Sequence, residues 1–372
     1  MSGALQSDVR EQEFGRDGGD FGTLPREVDE YSRRARELVG TSTTIDMMTL
    51  IAMQHEHAFH WMFGENGMSA ATLRCFKLSG IDVLHHHLPI EGAGAYENVL
   101  AFLAAWNGFF ARYGEHFARI VKPGDIAEAR RQGKIGVILG VQNADHFRTA
   151  DDVELLYDLG LRVSMLTYNV QNRLGSGSLE RSEGGLSHFG AEVIAQMNAK
   201  GMLVDASHCN ERTTRDAIEV CDGPMAITHS NCRAITDHPR TKSDDIIVSL
   251  AAKGGVFGIT GIRNFVGTEP VGIGKLVDHI DHVIQLVGVE HVGIGSDAGL
   301  TGWDALPQAA HDEFRAGFPA DYLSDKVDIE GFDHPLKFFD LAEALIGRGY
   351  SDADIALILG GNFERLVDSV WR

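Results

Sequence analysis

Three side chains that could bind a metal or move protons lie at or next to the ends of short apolar runs. The runs GMLVDASH, PMAITHS and HVGIGSD contain His208, His229 and Asp297 in these positions. Neutral imidazole and carboxylate are ligands of catalytic zinc sites, which keep one position open for water. A bound dication lowers the pKa of that water and makes it a nucleophile. The residue types therefore predict a catalytic metal site, provided that the fold brings the three together.

Eight apolar runs of this kind recur along the chain, and segments with helical periodicity separate most of them. They lie at 42–48, 80–87, 134–142, 161–168, 201–208, 224–230, 254–260 and 291–297. Continuous apolar strands joined through helices are typical of a parallel sheet that is buried on both faces. Eight such units predict an α/β fold, a TIM-like (β/α)₈ barrel. Because active sites of such barrels lie at the C-terminal ends of the strands, the three side chains would share one mouth.

The predicted domain organisation is a flexible N-terminal arm followed by one barrel domain. Residues 1–24 are rich in glycine and charge and are expected to form the arm, and 25–372 the barrel with a helical C-terminal cover. The start of the chain has no apolar segment typical of a secretion signal, and no run has the length of a membrane span. The four cysteines have no paired spacing, which favours reduced thiols in a cytoplasmic protein.

The charge of the chain restricts its partners. The formal net charge is -20, and lysine and arginine form no cluster. A field of this sign repels phosphate backbones and anionic lipid surfaces, so we expect neither a nucleic acid nor a membrane as partner. A small molecule is the expected partner.

Five stretches resemble the membrane dipeptidase family, the renal-dipeptidase-like branch (peptidase M19) of the metal-dependent hydrolases. They are GLSHFGAEVIAQMNAKGMLVDASHCNERT, GPMAITHSNCRAITDHPRTKSDD, KGGVFGIT, HVGIGSD and LILGGNFERL. The resemblance implies a (β/α)₈ barrel that hydrolyses small dipeptides at a two-zinc centre, often as a homodimer. By position, His208 and His229 resemble the two imidazoles of the second metal site. Arg240 resembles the arginine that binds the substrate carboxylate, and Asp297 resembles the residue that acts as acid and base.

The chain departs from the family pattern where the resemblance would place metal ligands and substrate contacts. Met48 and Leu50 stand at the histidine and aspartate of the first metal site, and Gln142 stands at the glutamate that bridges both metals. Tyr168 replaces a substrate-contacting histidine, and Gly299 replaces a second aspartate that many members carry.

These departures remove the negative charge that two zinc ions need. Two dications about 3.5 Å apart repel by on the order of 19 kcal/mol at an effective dielectric constant of about 20. Thioether is also a poor ligand beside a hard bridging hydroxide. We therefore predict at most one zinc ion, on His208 and His229, with Asp297 or Gln142 as a third ligand. A site without metal is the alternative.

Further histidines follow the first two predicted strands. Side chains alternate along a strand, so His85 and His87 should face one way and His86 the other. The expected substrate contacts are Arg240, Tyr168, Gln142, His85 and His87. An open alternative is a relocated metal site built from His85 to His87 or from His55, His57 and His60.

Three functions remain open on these residues. The first is a dipeptidase-family hydrolase of a small amide or dipeptide-like substrate that carries a carboxylate, with an altered and at most mononuclear metal centre. The second is a metal-poor or metal-free lyase, isomerase or transferase that uses Asp297 and Tyr168 as acids and bases. The ligand set would also suit an Fe(II) oxygenase. The third is a non-catalytic binding protein, against which the charged groups at the barrel mouth argue.

Overall fold

The computed structural model describes residues 19–64 and 67–372, and in these ranges nine parallel strands form one sheet. The strands are Ile45–Thr49 (β1), Val83–Leu88 (β2), Phe117–Arg119 (β3), Ile135–Val141 (β4), Leu161–Met165 (β5), Leu203–Asp205 (β6), Ala226–Ser230 (β7), Val256–Ile259 (β8) and Val292–Ile294 (β9). Each of the eight predicted runs coincides with one strand, and β1 and β2 extend one residue beyond their runs. The three-residue β3 was not predicted, and it pairs with the start of β4 outside the main order.

Eight of the strands form a nearly closed barrel. Their order is β1-β2-β4-β5-β6-β7-β8-β9, and every pair is parallel. The two ends of this order meet just beyond β9, where Leu50 N–H donates to the Ala298 carbonyl at 3.2 Å and Asp297 N–H donates to the Met48 carbonyl at 3.0 Å. The predicted (β/α)₈ barrel is confirmed, and Asp297 lies at its seam.

Helices connect the strands and cover the outside of the barrel. They are Arg33–Thr41 (α1), His55–Phe63 (α2), Ala70–Leu78 (α3), Ala95–Tyr113 (α4), Asp125–Arg131 (α5), Asp152–Leu159 (α6), His188–Lys200 (α7), Glu211–Val220 (α8), Asp244–Ala252 (α9), Arg263–Val266 (α10), Ile273–Val287 (α11), Gln308–Ala316 (α12), Lys337–Arg348 (α13), Asp352–Ala356 (α14) and, after a π-helical turn at Leu357–Gly361, Asn362–Val370 (α15). Serine side chains cap several of them, as Ser187 does when its hydroxyl accepts from Gly190 N–H.

The interior of the barrel is filled by apolar side chains at the end opposite the strand C-termini. Phe363 and Leu366 of α15 are fully buried in one cluster with Met47 and Ile138 from the strands. The C-terminal helices predicted as a cover therefore lie at two different ends of the barrel. Helix α15 closes the end opposite the strand C-termini, and α12 lies beside the C-terminal mouth. Only the mouth is left to form a site, as expected for this architecture.

The described part of the predicted arm packs on the barrel. Phe21 and Leu24 are buried, and the Phe21 ring meets those of Trp61 and Phe76. The Asp20 carboxylate accepts from the Trp61 indole N–H at 3.1 Å. Burial of Phe21 and Leu24 therefore attaches this part of the predicted arm to the barrel, whereas residues 1–18 lie outside the described residues.

In the described ranges, none of the helices combines the length and the apolar character that crossing a bilayer requires.

Candidate active site

A cavity of 670 Å³ opens at the C-terminal mouth of the barrel and brings together most of the predicted site residues. Its polar lining includes Gln142, Tyr168, His208, Arg240 and Asp297. The volume falls in the range of about 300–1,000 Å³ that is usual for small-molecule sites. The convergence of side chains from the segments that follow five different strands on one cavity makes this the candidate active site.

His208 is held in one tautomer by a neighbouring amide. Its Nδ1 lies 2.8 Å from Asn169 Oδ1, and because that oxygen can only accept, Nδ1 must carry the proton. The Nε2 atom is buried and has no hydrogen-bond partner among the described residues. Burial keeps the pKa of His208 well below its ordinary value, so the ring is neutral and presents a lone pair at Nε2.

His229 is held in the same tautomer by a relay from a buried carboxylate. Thr228 Oγ1 donates to Asp205 Oδ2 at 2.5 Å, so this hydroxyl accepts from His229 Nδ1–H at 3.0 Å. His229 Nε2 is again buried without a hydrogen-bond partner in the described structure. The His208 and His229 ring centres are 5.0 Å apart, so the two neutral imidazoles are neighbours, although only His208 lines the cavity.

Arg240 supplies a buried positive charge to the cavity. The residue is 1% exposed, and its Nη2 donates to the His229 carbonyl at 3.2 Å. Its guanidinium lies 5.2 Å from the centre of the Phe265 ring. A cation in such surroundings is stabilised by an anion that can enter the cavity, which suits a substrate carboxylate.

Asp297 combines an unusual backbone with an unusual pKa. Its φ of 59° lies in the left-handed region, where its N–H bonds across the barrel seam to Met48. Burial raises the pKa of Asp297 to about 7, while Arg240 opposes the shift and Asp46 adds to it. A carboxyl group that titrates near neutrality is suited to exchange protons with a substrate.

Tyr168 and Gln142 complete the polar lining that the sequence predicted. The Tyr168 ring stacks on His208 with centres 4.3 Å apart. Burial raises the pKa of Tyr168, so its hydroxyl stays a proton donor at neutral pH. Gln142 is nearly buried at the end of β4.

The structure corrects the expectation that His85 and His87 contact substrate. Both are buried inside the barrel and neither is part of the cavity lining; their ring centres are 3.7 Å apart, and His85 Nδ1–H donates to the Met47 carbonyl at 2.6 Å. Gly140 makes room for His87, because a Cβ at residue 140 would lie 2.4 Å from His87 Nε2. His86 faces the opposite way, against Trp106, so the predicted alternation is confirmed although the predicted role is not.

The other histidines give no relocated metal site. His57 packs on Trp61 in α2, and His60 is exposed on the same helix. No group of three or more histidine, cysteine, aspartate or glutamate side chains suited to a metal occurs within 19–64 and 67–372. The side chain of His55 lies outside the described residues.

His208 and His229 offer two unprotonated imidazole nitrogens to a metal ion, and no third histidine, cysteine, aspartate or glutamate among the described residues completes a metal group with them. Two imidazoles that share one zinc through Nε2 have ring centres roughly 5 Å apart, given a Zn–N distance of about 2.1 Å, and His208 and His229 match this. Met48 and Leu50 line the cavity where the resemblance expects ligands of another ion. Apolar side chains and the neutral Gln142 do not offset a second dication.

Several contributors to the site were not found from the sequence. Asn169 directly follows Tyr168, and Thr228 directly precedes His229. Their position next to predicted site residues was the available signal that they belong to the site. An apolar cap formed by α12 and its flanking loops, with Trp303, Phe314 and Tyr322, also lines the cavity. Its residues are distant in sequence from the barrel positions they face, so no local pattern reveals them.

Comparisons with known proteins agree with this architecture. A model of the family "Membrane dipeptidase (Peptidase family M19)" matches residues 32–313. Dipeptidase verJ of Clonostachys rogersoniana is 34% identical over 70% of this chain and 61% of its own length. An uncharacterized dipeptidase of Schizosaccharomyces pombe is 37% identical over 49% of this chain and 45% of its own length. The chain thus matches less than two thirds of either relative.

A solved structure extends the match to nearly the whole fold. The crystal structure of an amidohydrolase from Pseudomonas aeruginosa is 27% identical, covers 91% of this chain and 99% of its own, and superposes with a TM-score of 0.77. The family match spans more than half of the chain, and the barrel carries the site at the expected mouth. This protein is a member of the membrane dipeptidase family, peptidase family M19.

Proposed function

We propose that the protein hydrolyses an amide bond in a small substrate that carries a carboxylate. The observation that carries the proposal is the common cavity of Arg240, Asp297 and His208, with the centre of the His229 ring 5.0 Å from that of His208. These groups can bind an anion, exchange a proton and present imidazole lone pairs within one enclosed space. Family membership and the dipeptidase names of two relatives support the same reaction.

Each residue has a role that follows from its surroundings. Arg240 binds the substrate carboxylate and so fixes the position of the amide carbonyl. Asp297 accepts a proton from the attacking water and returns a proton to the leaving nitrogen as the C–N bond breaks. Tyr168 keeps its hydroxyl protonated and donates to oxygen atoms of the substrate.

The metal requirement of the proposed reaction is at most one ion. His208 and His229 would hold it through Nε2, and Asn169 and Thr228 would keep both rings in the required tautomer. A zinc ion bound there supplies a Lewis acid and lowers the pKa of bound water. Asp297 or Gln142 is the proposed third ligand.

Metal-free chemistry is the second candidate, and one observation favours it. Met48 and Leu50 place apolar side chains in the lining where the family resemblance expects metal ligands. This part of the cavity is therefore suited to an apolar group of a ligand rather than to a metal ion. A lyase, isomerase or transferase could then use Asp297 and Tyr168 as acid and base. The cytoplasmic location and the homodimer remain predictions.

The deciding experiment measures hydrolysis of dipeptides and acylated amino acids by the purified full chain, with and without one equivalent of zinc. We expect amide cleavage that Arg240→Gln reduces chiefly through KM and that Asp297→Asn reduces chiefly through kcat. Asparagine tolerates the left-handed backbone of residue 297, so this variant tests the carboxyl group alone. Absence of cleavage in the whole panel under both conditions would refute the hydrolase.

A further inference from the structure

The cavity is far more apolar than binding of a small polar dipeptide requires. One group of apolar side chains, Met48, Leu50 and Met53, comes from the segment that follows β1, and another, Phe265, Phe314 and Phe318, comes from the cap and the loop after β8. Both groups belong to the same 670 Å³ space. Such a lining gains free energy only when it buries a comparable apolar surface of the ligand.

The cap side chains are fixed against one another rather than loose. Phe314 stacks on Trp303 with ring centres 3.7 Å apart, and Phe318 stacks on Tyr322 at 4.9 Å. Trp303 is itself tied to the barrel, because its indole N–H donates to the Asp297 carbonyl at 2.7 Å. This wall is therefore preformed for a bulky apolar group.

The polar groups of the cavity converge on a place for one anion. Arg240 is the buried cation of the lining, and the buried Tyr322 hydroxyl is next to it. The charge of Arg240 and a hydrogen bond that it donates to Tyr322 oppose the rise that burial causes in the pKa of Tyr322. The Tyr322 O–H itself donates to no described residue, so a ligand carboxylate can accept from both Arg240 and Tyr322.

The cavity offers no comparable place for a cation. Among the described lining residues the carboxylates are Glu56, Glu313 and Asp297. Glu56 and Glu313 are exposed at the rim, where an ion pair contributes little. Asp297 already lies in the field of Arg240. An ammonium group that entered beside the apolar walls would lose its water and find no partner of its own.

We propose that the substrates are N-acylated amino acids, in which an apolar acyl group blocks the nitrogen and the amino acid supplies the single carboxylate. This inference rests on the proposed amide hydrolysis and names its substrate class. Water adds to the acyl carbon, the C–N bond breaks, the acyl carbon keeps the hydroxyl oxygen and the nitrogen takes a proton. The products are an apolar carboxylic acid and a free amino acid.

The test compares two ligands that share one skeleton and differ only in an ammonium group. They are 3-phenylpropanoyl-leucine and phenylalanyl-leucine, and acetyl-glycine serves as a blocked ligand without the apolar bulk. Binding to the full chain is measured by calorimetry in the presence of a chelator, with the ligands checked for integrity afterwards. We expect 3-phenylpropanoyl-leucine to bind at least about tenfold more tightly than either of the other two. Equal or tighter binding of phenylalanyl-leucine would overturn the proposal.

Two phenylalanine variants test whether the preference for an apolar acyl group arises in the cavity. Phe318→Ser should weaken binding of 3-phenylpropanoyl-leucine by about tenfold and weaken binding of acetyl-glycine much less, because acetyl-glycine has no bulky apolar group to bury there. Phe59→Ser is the matched control, because Phe59 is 66% exposed and does not line the cavity. Thermal melting of both variants shows whether the fold is intact. Equal loss for both ligands in Phe318→Ser would count against an apolar acyl site.

Measuring cleavage of the two leucine compounds distinguishes a failure of the proposed substrate class from a failure of the proposed hydrolysis. If 3-phenylpropanoyl-leucine binds selectively but is not cleaved with or without zinc, the hydrolase proposal fails and the ligand class stands. If both compounds are cleaved and phenylalanyl-leucine has the higher kcat/KM, the hydrolase stands and the ligand class fails.

Discussion

The indole N–H of Trp303 donates to the backbone carbonyl of Asp297 at 2.7 Å, which joins the apolar cap to the carboxyl group that titrates near neutrality. Asp297 also bonds to Met48 through its own N–H, across the barrel seam. The cap and the seam thus hold one residue from two sides, and its left-handed backbone is fixed between them. The geometry of Asp297, the proposed acid and base, therefore depends on Trp303, for which no chemical step is proposed.

Removing this link should affect catalysis more than folding. In Trp303→Phe the ring and its stacking on Phe314 are retained, but the hydrogen bond to Asp297 is lost. We expect kcat/KM to fall by roughly fivefold, since one such bond is worth about 1 kcal/mol. The control is Trp371→Phe at the closed end of the barrel, where the indole N–H has no partner in the described structure. Equal kinetic effects of the two variants would contradict this role.

The tautomer of His208 should depend on Asn169. Asn169→Gly preserves the left-handed backbone, which has φ 57°, but deletes the acceptor for Nδ1–H. We expect the imidazole ¹⁵N–¹H spectrum to lose its pure Nδ1–H signature and zinc affinity to fall by about 10–100-fold. Asn169→Asp keeps the acceptor and tolerates the same backbone, so it should retain the wild-type tautomer. An unchanged spectrum in the glycine variant would show that Asn169 does not set the tautomer.

The number of zinc ions should follow the charge of the cavity lining. We expect native mass spectrometry and elemental analysis to find no more than one zinc per chain after incubation with excess metal. The combined substitution Met48→His, Leu50→Asp and Gln142→Glu restores the ligand types that the family resemblance places there, and it should raise the stoichiometry to two. Two tightly bound ions in the unmodified protein would disprove the predicted loss.

A buried acid away from the cavity should give stability a defined pH dependence. Burial raises the pKa of Asp46 to about 6, although Lys337 and hydrogen bonds from Ser296 favour its charged form. As the pH rises, the unfolded chain releases this proton first, so the contribution of Asp46 declines between about pH 4 and pH 7 by up to about 3 kcal/mol. Asp46→Asn cannot titrate, so its stability should improve relative to the wild type over this interval.

Urea unfolding of both proteins at several pH values measures this difference. In Asp46→Asn the new side-chain amide can still accept from Ser296 N–H and donate to the Ser296 hydroxyl, so the local hydrogen bonds survive. A constant difference between the two unfolding curves across pH would exclude a raised pKa for Asp46.

The sequence by itself determined the barrel and its mouth. The eight barrel strands have continuous apolar sequences because both faces of a parallel sheet are covered. One strand of the barrel lies at each of the eight predicted runs. Polar residues that close these runs, such as His208 and Asp297, converge because parallel strands end at one edge, whereas Arg240, in the loop after β7, was expected only from the family resemblance. The alternation of side chains along a strand also predicted that His86 and His87 face opposite ways, since alternation is a local property of the chain.

Only the tertiary structure decided which polar residues face the cavity and what surrounds them. His85 and His87 share the alternation of a strand that reaches the mouth, but their depth in the barrel depends on the space beside Gly140 and on α15, which are distant in sequence. The tautomers of His208 and His229 depend on Asn169 and on Asp205 through Thr228. The apolar cap is folded over the barrel from residues after 300, and such long-range packing has no local periodicity from which it could be inferred.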